Sequence, residues 1–240
     1  MKPGEWEALL YDWHNDHRLN RQRRDVSYWL DLISPNERVL VLGAGTGRVA
    51  GPLANRSRRQ VTAVDLSEER LARMPRSSGL FPVCGDMRRL PLRGHHDAAV
   101  MPYSTLQLLL SAEDRQRALE ETARVLAPGG HVYIDVSQNF ETRAERDWHL
   151  CVAELCAETG DVRVEEWERN CLMFDHVVIE KVFRSGSEIL TQVSERWVYH
   201  HVLDLEGALE RAGFDLVRID RGYGDELSPH RLIYHGRRRG

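Results

Sequence analysis

The sequence predicts an α/β fold: a doubly wound, mostly parallel sheet carrying an antiparallel β insertion. Two observations lead there. From about residue 38 to 136, short apolar runs alternate with amphipathic stretches, the pattern of strand–helix–strand crossovers on a parallel sheet. After residue 140 the pattern changes: 162–200 alternates in polarity and is rich in β-branched residues, with Ser185-Gly186-Ser187 as a turn, which reads as an antiparallel meander.

Each element follows from local chemistry. Arg38 to Leu42 is a short apolar run ending at Gly43, as expected of a strand buried on both faces. Residues 47–55 can form a helix, and Gln60 to Asp65 is a second strand closed by an acid. Ser67-Glu68-Glu69 has the composition of a helix N-terminus. Leu80 to Val83 and Asp97 to Met101 supply strands three and four. Ser111 with Asp114 resembles a capping box, and Leu119, Thr122, Ala123 and Leu126 recur on one helical face. Pro128-Gly129-Gly130 stops that helix, and His131 to Val136 is the fifth strand. Residues 144–158 are predicted helical. Leu205, Ala208, Leu209 and Ala212 stripe a last helix ended by Gly213; Phe214 to Ile219 and Arg231 to Tyr234 close the sheet. With no repeat, low-complexity tract or linker, the expectation is one domain over 1–240. It comprises an N-terminal helical segment (1–34), a core (38–140), the insertion (162–200) and closing elements (204–235).

Composition narrows the function. Hydrophobic residues make up 42% of the 240 and charged residues 29%, which excludes a disordered or collagen-like chain. No stretch approaches 18 consecutive apolar residues, so no membrane helix is expected. The first thirty residues hold five acids and no apolar h-region, so no signal peptide is expected and the implied address is cytoplasmic. The net charge of −4, from 33 basic and 37 acidic side chains, speaks against a nucleic-acid partner. The basic runs at 21–24, 56–59 and 237–239 read as solvated faces and a terminus. Cys84, Cys151, Cys156 and Cys171 form no C-x-x-C pair and have no histidine at zinc spacing. They read as buried reduced thiols, and no metal is expected.

Gly43-Ala44-Gly45-Thr46-Gly47 follows a strand and opens a helix. Glycines there allow a tight turn and close approach to a ligand, and a helix N-terminus adds donors. The dinucleotide fingerprint would need glycine at 48, where this chain has Arg48. The compressed form suits a nucleoside without a pyrophosphate. Together with three further markers, the chain resembles class I S-adenosylmethionine-dependent methyltransferases over 38–136 and 204–235. The markers are Asp65 at the end of the second strand, Gly85-Asp86-Met87, and Leu126-Ala127-Pro128-Gly129-Gly130. The resemblance implies a Rossmann-like sheet with the insertion over the active site and S-adenosylmethionine as cofactor. It implies that Gly43, Gly45 and Gly47 cradle that cofactor and Asp65 grips its ribose hydroxyls. Asp86 would lie beside the adenine, Leu66 and Met87 would sandwich it, and Pro102 would lie close by. One position departs from the family: the acid usually found two residues before the first glycine, which helps hold the methionine end, is Val41 here. Tyr11, in a segment that similar enzymes fold over the cofactor, is a candidate substitute.

The stretch Val100-Met101-Pro102-Tyr103-Ser104 ends the fourth strand, where ligands of open α/β sheets bind. It resembles a subgroup that methylates small molecules, including amino-sugar N-methyltransferases of antibiotic pathways. Tyr103 and His176 are candidates for a base or orienting group. The expected reaction is methyl transfer to nitrogen or oxygen of a small-molecule acceptor. Methylation of RNA or protein, and cofactor binding without transfer (kept open by Val41), are the alternatives. The exposed edge of the meander leaves an oligomer open.

Overall fold

The computed structural model describes residues 1–15, 24–34, 37–56, 60–224 and 229–240. The basic runs at 21–24 and 56–59 fall largely outside them, as does Ser228. The strands are β1 (Arg38–Leu42), β2 (Gln60–Asp65), β3 (Leu80–Cys84), β4 (His96–Met101), β5 (Leu126–Ser137), β6 (Arg146–Cys156), β7 (Val162–Leu172), β8 (His176–Ser185), β9 (Glu188–Val198), β10 (Phe214–Arg221) and β11 (Arg231–Arg238). The helices are α1 (Pro3–His14), α2 (Arg24–Leu32), α3 (Ala50–Asn55), α4 (Glu68–Ala72), α5 (Ala112–Val125) and α6 (Leu205–Arg211).

Seven strands form one sheet in the order β10-β11-β5-β4-β1-β2-β3. β1 to β5 pair in parallel, and β11 runs antiparallel to both β5 and β10. The strand order turns back between β1 and β4, which opens a crevice at the carboxyl ends. Successive residues of β1 enter opposite cores. Leu40 and Leu42 pack with Ala99, Met101, Leu119 and Leu209 on one face. Val39 and Val41 pack with Trp29, Ile33, Leu53 and Val100 on the other. A strand covered on both sides has no polar face, so the run is continuously apolar. The two expected caps form: Ser67 Oγ accepts the Arg70 N–H at 3.1 Å and Ser111 Oγ accepts the Asp114 N–H at 3.0 Å. The second is half of a capping box, because the Asp114 carboxylate accepts from Arg88 instead, at 2.9 Å.

β6 to β9 make a separate four-stranded antiparallel sheet. Residues 144–158, expected to be helical, supply its edge strand β6. Two register shifts in the β6–β7 pairing, between Arg146 and His149 and between Leu150 and Val152, break the period-2 signature. Good helix formers such as Ala153, Glu154 and Leu155 then yield to the ladder. The meander therefore spans 146–198. Helix α1 packs on it: Leu9, Leu10 and Trp13 join Cys156, Val164, Phe183 and Leu190 in one cluster. Trp13 meets Phe183 edge-on at 6.3 Å and donates to the Leu155 carbonyl at 3.3 Å.

The thiols divide differently from expectation. Cys156 is buried, Cys151 and Cys171 are half-buried, and Cys84 is exposed because β3 is the sheet's edge; all four are free. No described helix is long and apolar enough to cross a membrane.

Helix α2 is tied to the antiparallel edge by a polar triad. The Tyr28 hydroxyl donates to Asp220 Oδ2 at 2.7 Å and lies 3.0 Å from His235 Nε2. Burial pushes the His235 imidazole down to about 4, outweighing the pull of Asp220. Unfolding frees it to titrate near 6.5, so the unfolded chain binds the extra proton first and stability falls as pH drops from 6.5 to about 4. Urea midpoints across that window should decline by the equivalent of about 3 kcal/mol in total, and His235→Gln should flatten the decline.

Candidate active site

A cleft of about 1320 Å³ lies at the carboxyl ends of the parallel strands. Its walls come from the large sheet (Gly43, Asp65, Tyr103, Arg231), from α1 (Tyr11) and from the antiparallel sheet (Lys181, Glu195).

The glycine turn is built by close packing. Gly43, Gly45 and Gly47 have φ of +65°, +56° and +89°, a region that side chains disfavour. A Cβ on Gly43 would lie 2.6 Å from Thr105 Oγ1, and one on Gly45 would lie 3.3 Å from the Tyr11 ring. On Gly47 it would lie 2.6 Å from Met74 Cγ. Three different elements thus close on the turn, one at each glycine. Asp65 braces it: Oδ2 accepts the Gly45 N–H at 2.7 Å and Oδ1 accepts the Ser67 N–H at 3.0 Å. A carboxylate has about four lone-pair sites, so Asp65 retains capacity for hydroxyl donors from the cleft it lines.

Tyr11 lies over Gly45, and the Arg70 guanidinium lies 4.2 Å from its ring centroid. Arg70 in turn pairs with Glu7 at 2.6 Å, and Thr46 donates to Asp12. These contacts hold α1 across the glycine turn.

The loop after β4 is the second built feature. Tyr103 and Ser104 have φ of +57° and +64°, consecutive left-handed residues with side chains, each costing on the order of 1–3 kcal/mol. Asp135, fully buried, holds them. Its Oδ2 accepts the Tyr103 N–H at 2.9 Å, and its backbone carbonyl accepts the Ser104 N–H at 3.0 Å. The same carboxylate accepts from the Tyr223 hydroxyl and from Arg231 Nε, each at 2.8 Å. The Tyr103 ring lies between two cations, Arg48 at 4.7 Å and Arg231 at 5.0 Å. Burial nevertheless drives its hydroxyl pKa upward. It is protonated at neutral pH, so it can donate and orient but not abstract a proton.

Of the residues singled out from the sequence, Tyr11, Gly43, Asp65 and Tyr103 line the cleft. Gly45, Gly47 and Pro102 lie beneath it and are buried. Leu66 is 66% exposed and Met87 half-buried, after the neighbouring ends of β2 and β3, where Asp65 pairs with Cys84. Asp86 is bound by Arg88 at 2.6 Å, which lowers its carboxyl pKa. His176 does not face the cleft. The buried residues of β8 are Val177, Ile179, Lys181 and Phe183, so an even-numbered position points to the other face. There its Nδ1 lies 2.7 Å from Asp175 Oδ1.

Sequence reasoning missed the charged residues that shape the cleft: Asp25, Asp135 and Arg231, with Arg143–Glu168 and Lys181–Glu195 pairs at 2.9 and 2.7 Å. The signal was there for Asp135, an acid inside the apolar run of the fifth strand. His149, Cys151 and Glu168 bring donor atoms within 4.8 Å of one another, a grouping made by cross-strand pairing that linear spacing hides.

Residues 39–130 match a family model described as a methyltransferase domain. An uncharacterized methyltransferase of Mycobacterium bovis is 34% identical over 138 residues, 55% of this chain and 51% of that protein. The chain thus spans about half the length of the curated relatives it matches. Among solved structures, an S-adenosylmethionine-dependent methyltransferase from Clostridium acetobutylicum has a TM-score of 0.78 at 15% identity, covering 96% of this chain and 98% of its own. A sugar N-methyltransferase from Streptoalloteichus sp has a TM-score of 0.75 at 20% identity, covering 96% and 92%. Residues 39–130 thus match a methyltransferase domain, and the whole chain shares the fold of S-adenosylmethionine-dependent methyltransferases.

The cleft fits S-adenosylmethionine. The glycine turn provides close backbone approach and Asp65 a hydroxyl acceptor. Two buried polar atoms facing the cleft, Ser104 Oγ and Asn15 Nδ2, have no partner within the protein, as expected of groups that a ligand completes.

Two substitutions check this construction. Asp65→Asn should weaken S-adenosylhomocysteine binding about 10- to 100-fold by calorimetry, with little change in melting temperature. Gly43→Ala should destabilise by roughly 2 kcal/mol or more from strained backbone and overlap. A double-mutant cycle with Thr105→Ala should return a coupling of about 1 kcal/mol.

Proposed function

We propose that this protein methylates a nitrogen of a small polar acceptor. The observation that carries the reading is the roof on the cleft. The antiparallel sheet covers the carboxyl ends of the large sheet and presents Glu168, Lys181 and Glu195 toward them, forming a half-open cleft walled by both sheets with charged groups on its upper side. Such a cleft suits a metabolite with several hydrogen-bonding groups. The solved sugar N-methyltransferase that shares the fold supports the same class.

S-adenosylmethionine, when bound, supplies a sulfonium methyl that is already a strong electrophile. The protein's part is alignment and exclusion of water. The glycine turn and Asp65 hold the cofactor. The rigid loop at Tyr103, fixed from below by Asp135, orients the acceptor, and Arg231 holds the far side of that ring. The paired charges of the roof, Glu168 with Arg143 and Glu195 with Lys181, offer both hydrogen-bond acceptors and donors to such a metabolite. Of the two base candidates read from the sequence, the Tyr103 hydroxyl stays protonated and His176 faces away, so neither would deprotonate a hydroxyl acceptor. An amine that loses its proton to water needs neither.

The test is an acceptor screen with S-adenosylmethionine, read by a 14-dalton mass gain. Aminated, hydroxylated metabolites should be methylated on nitrogen, with kcat/KM rising with pH until the acceptor amine is neutral. Tyr103→Phe should lower kcat roughly 10- to 100-fold with cofactor affinity unchanged. Methylation at a hydroxyl would overturn the nitrogen assignment.

A further inference from the structure

The outer strand of the roof carries a cluster of nitrogen, sulfur and oxygen donors. β6 pairs with β7 through two register shifts, the second between Leu150 and Val152. Leu150 is paired with Trp167 and Val152 with Glu166, so Cys151 is the extra residue of a bulge. Just before it, His149 stands directly opposite Glu168. Directly opposed residues share a face of the sheet, so imidazole and carboxylate rise from the same side. The thiol reaches them from the bulge, with its Sγ 3.5 Å from His149 Nε2. His149 and Cys151 are half-buried, Glu168 is 2% exposed, and the three donor atoms all lie within 4.8 Å of one another.

The tautomer of His149 is fixed by its own strand. Nδ1 lies 3.0 Å from the Asp147 carbonyl oxygen, which can only accept, so Nδ1 carries the proton and Nε2 keeps its lone pair. That lone pair faces the sulfur. An imidazole whose remote N–H is held by a backbone carbonyl is the arrangement that orients metal-ligating histidines, and ligating carboxylates are braced in the same way. Glu168 has such a brace: Arg143 Nη1 donates to its Oε1 at 2.9 Å. Lys181, opposite Glu168 on β8, is engaged by Glu195 at 2.7 Å.

The donor set selects the ion. Thiolate, imidazole and carboxylate are the three ligand types of Zn²⁺, which arranges them tetrahedrally. Mg²⁺ and Ca²⁺ take oxygen ligands instead. With zinc–sulfur and zinc–nitrogen bonds of about 2.3 and 2.05 Å, tetrahedral sulfur and nitrogen ligands lie roughly 3.5 Å apart. Cys151 Sγ and His149 Nε2 already stand at that separation. Thiolate and carboxylate together balance the charge of the dication.

We propose that His149, Cys151 and Glu168 form a zinc site on the edge strand of the roof. Binding replaces the Cys151 thiol proton, which passes to solvent, by a sulfur–zinc bond. His149 Nε2 and a Glu168 oxygen make the other two protein bonds, and water takes the fourth position. The ion clamps the bulge of β6 onto β7. Because Glu168 and Arg143 also line the cleft, the clamp fixes one corner of its wall. The inference rests on the geometry of the roof and not on the identity of the acceptor.

The experiment is titration of the reduced, tag-free full chain with Co²⁺, which reports thiolate ligation by a charge-transfer band in the near ultraviolet, followed by displacement with Zn²⁺. One equivalent of Co²⁺ should raise the band and Zn²⁺ should remove it. Cys151→Ser should abolish the band, while Cys84→Ser and Cys171→Ser keep it. His149→Gln and Glu168→Gln should each weaken Zn²⁺ by about 10-fold or more. Zinc should also shield Cys151 of the wild type from iodoacetamide, mapped by mass spectrometry, a readout that needs no variant to fold. No band at millimolar Co²⁺, a band that survives Cys151→Ser, or no shielding would overturn the site. So would Zn²⁺ affinity untouched by both His149→Gln and Glu168→Gln, since the thiol alone would then hold the ion.

Discussion

The buried carboxylate of Asp135 is the contact on which the loop after β4 depends. The turn after β4 places two non-glycine residues in left-handed geometry, and no local preference of Tyr103 or Ser104 would keep them there. Asp135 receives the Tyr103 amide while also accepting from Tyr223 and Arg231. A fully desolvated carboxylate must be matched by donors, so the strand, the turn and the closing β11 strand satisfy one charge together. Loosening any donor leaves that charge underpaired, and the Tyr103 ring, gripped between two guanidiniums, would lose its fixed orientation.

The roof follows a related rule. On β7, Val164, Glu166, Glu168 and Asn170 all point inward and are buried. Both acids are met by groups from outside the strand: the His14 imidazole of α1 lies 2.7 Å from Glu166, and the Arg143 guanidinium lies 2.9 Å from Glu168. Buried ion pairs add little net stability over an apolar core. Their presence on the face toward the cleft is better explained by what that cleft must recognise than by what the fold requires.

What could be read in the sequence was local. The helix starts at Ser67 and Ser111 and the acid at the end of β2 depend on neighbours a few positions away. The glycine turn is equally local, and these features stand where expected. β6 did not announce itself, because two register shifts erase its alternation and its composition favours helix. Alternation marks β8 as a strand but does not say which of its faces is covered until β9 and the large sheet are in place, so the outward position of His176 could not be read. Asp25 was unreadable for a different reason. Its ion-pair partner is Arg48, 23 positions away in sequence, a contact that only the fold makes.

Helix α1 belongs to both layers. Glu7 reaches Arg70 on the cofactor side, His14 reaches Glu166 on the roof, and Trp13 is wedged against Phe183. Tyr11, between these anchors, lies directly on the glycine turn. Moving Tyr11 off the turn therefore disturbs contacts to both layers at once. The helix is thus the mechanical tie between the two sheets, and whatever displaces it loosens the roof and the glycine turn together.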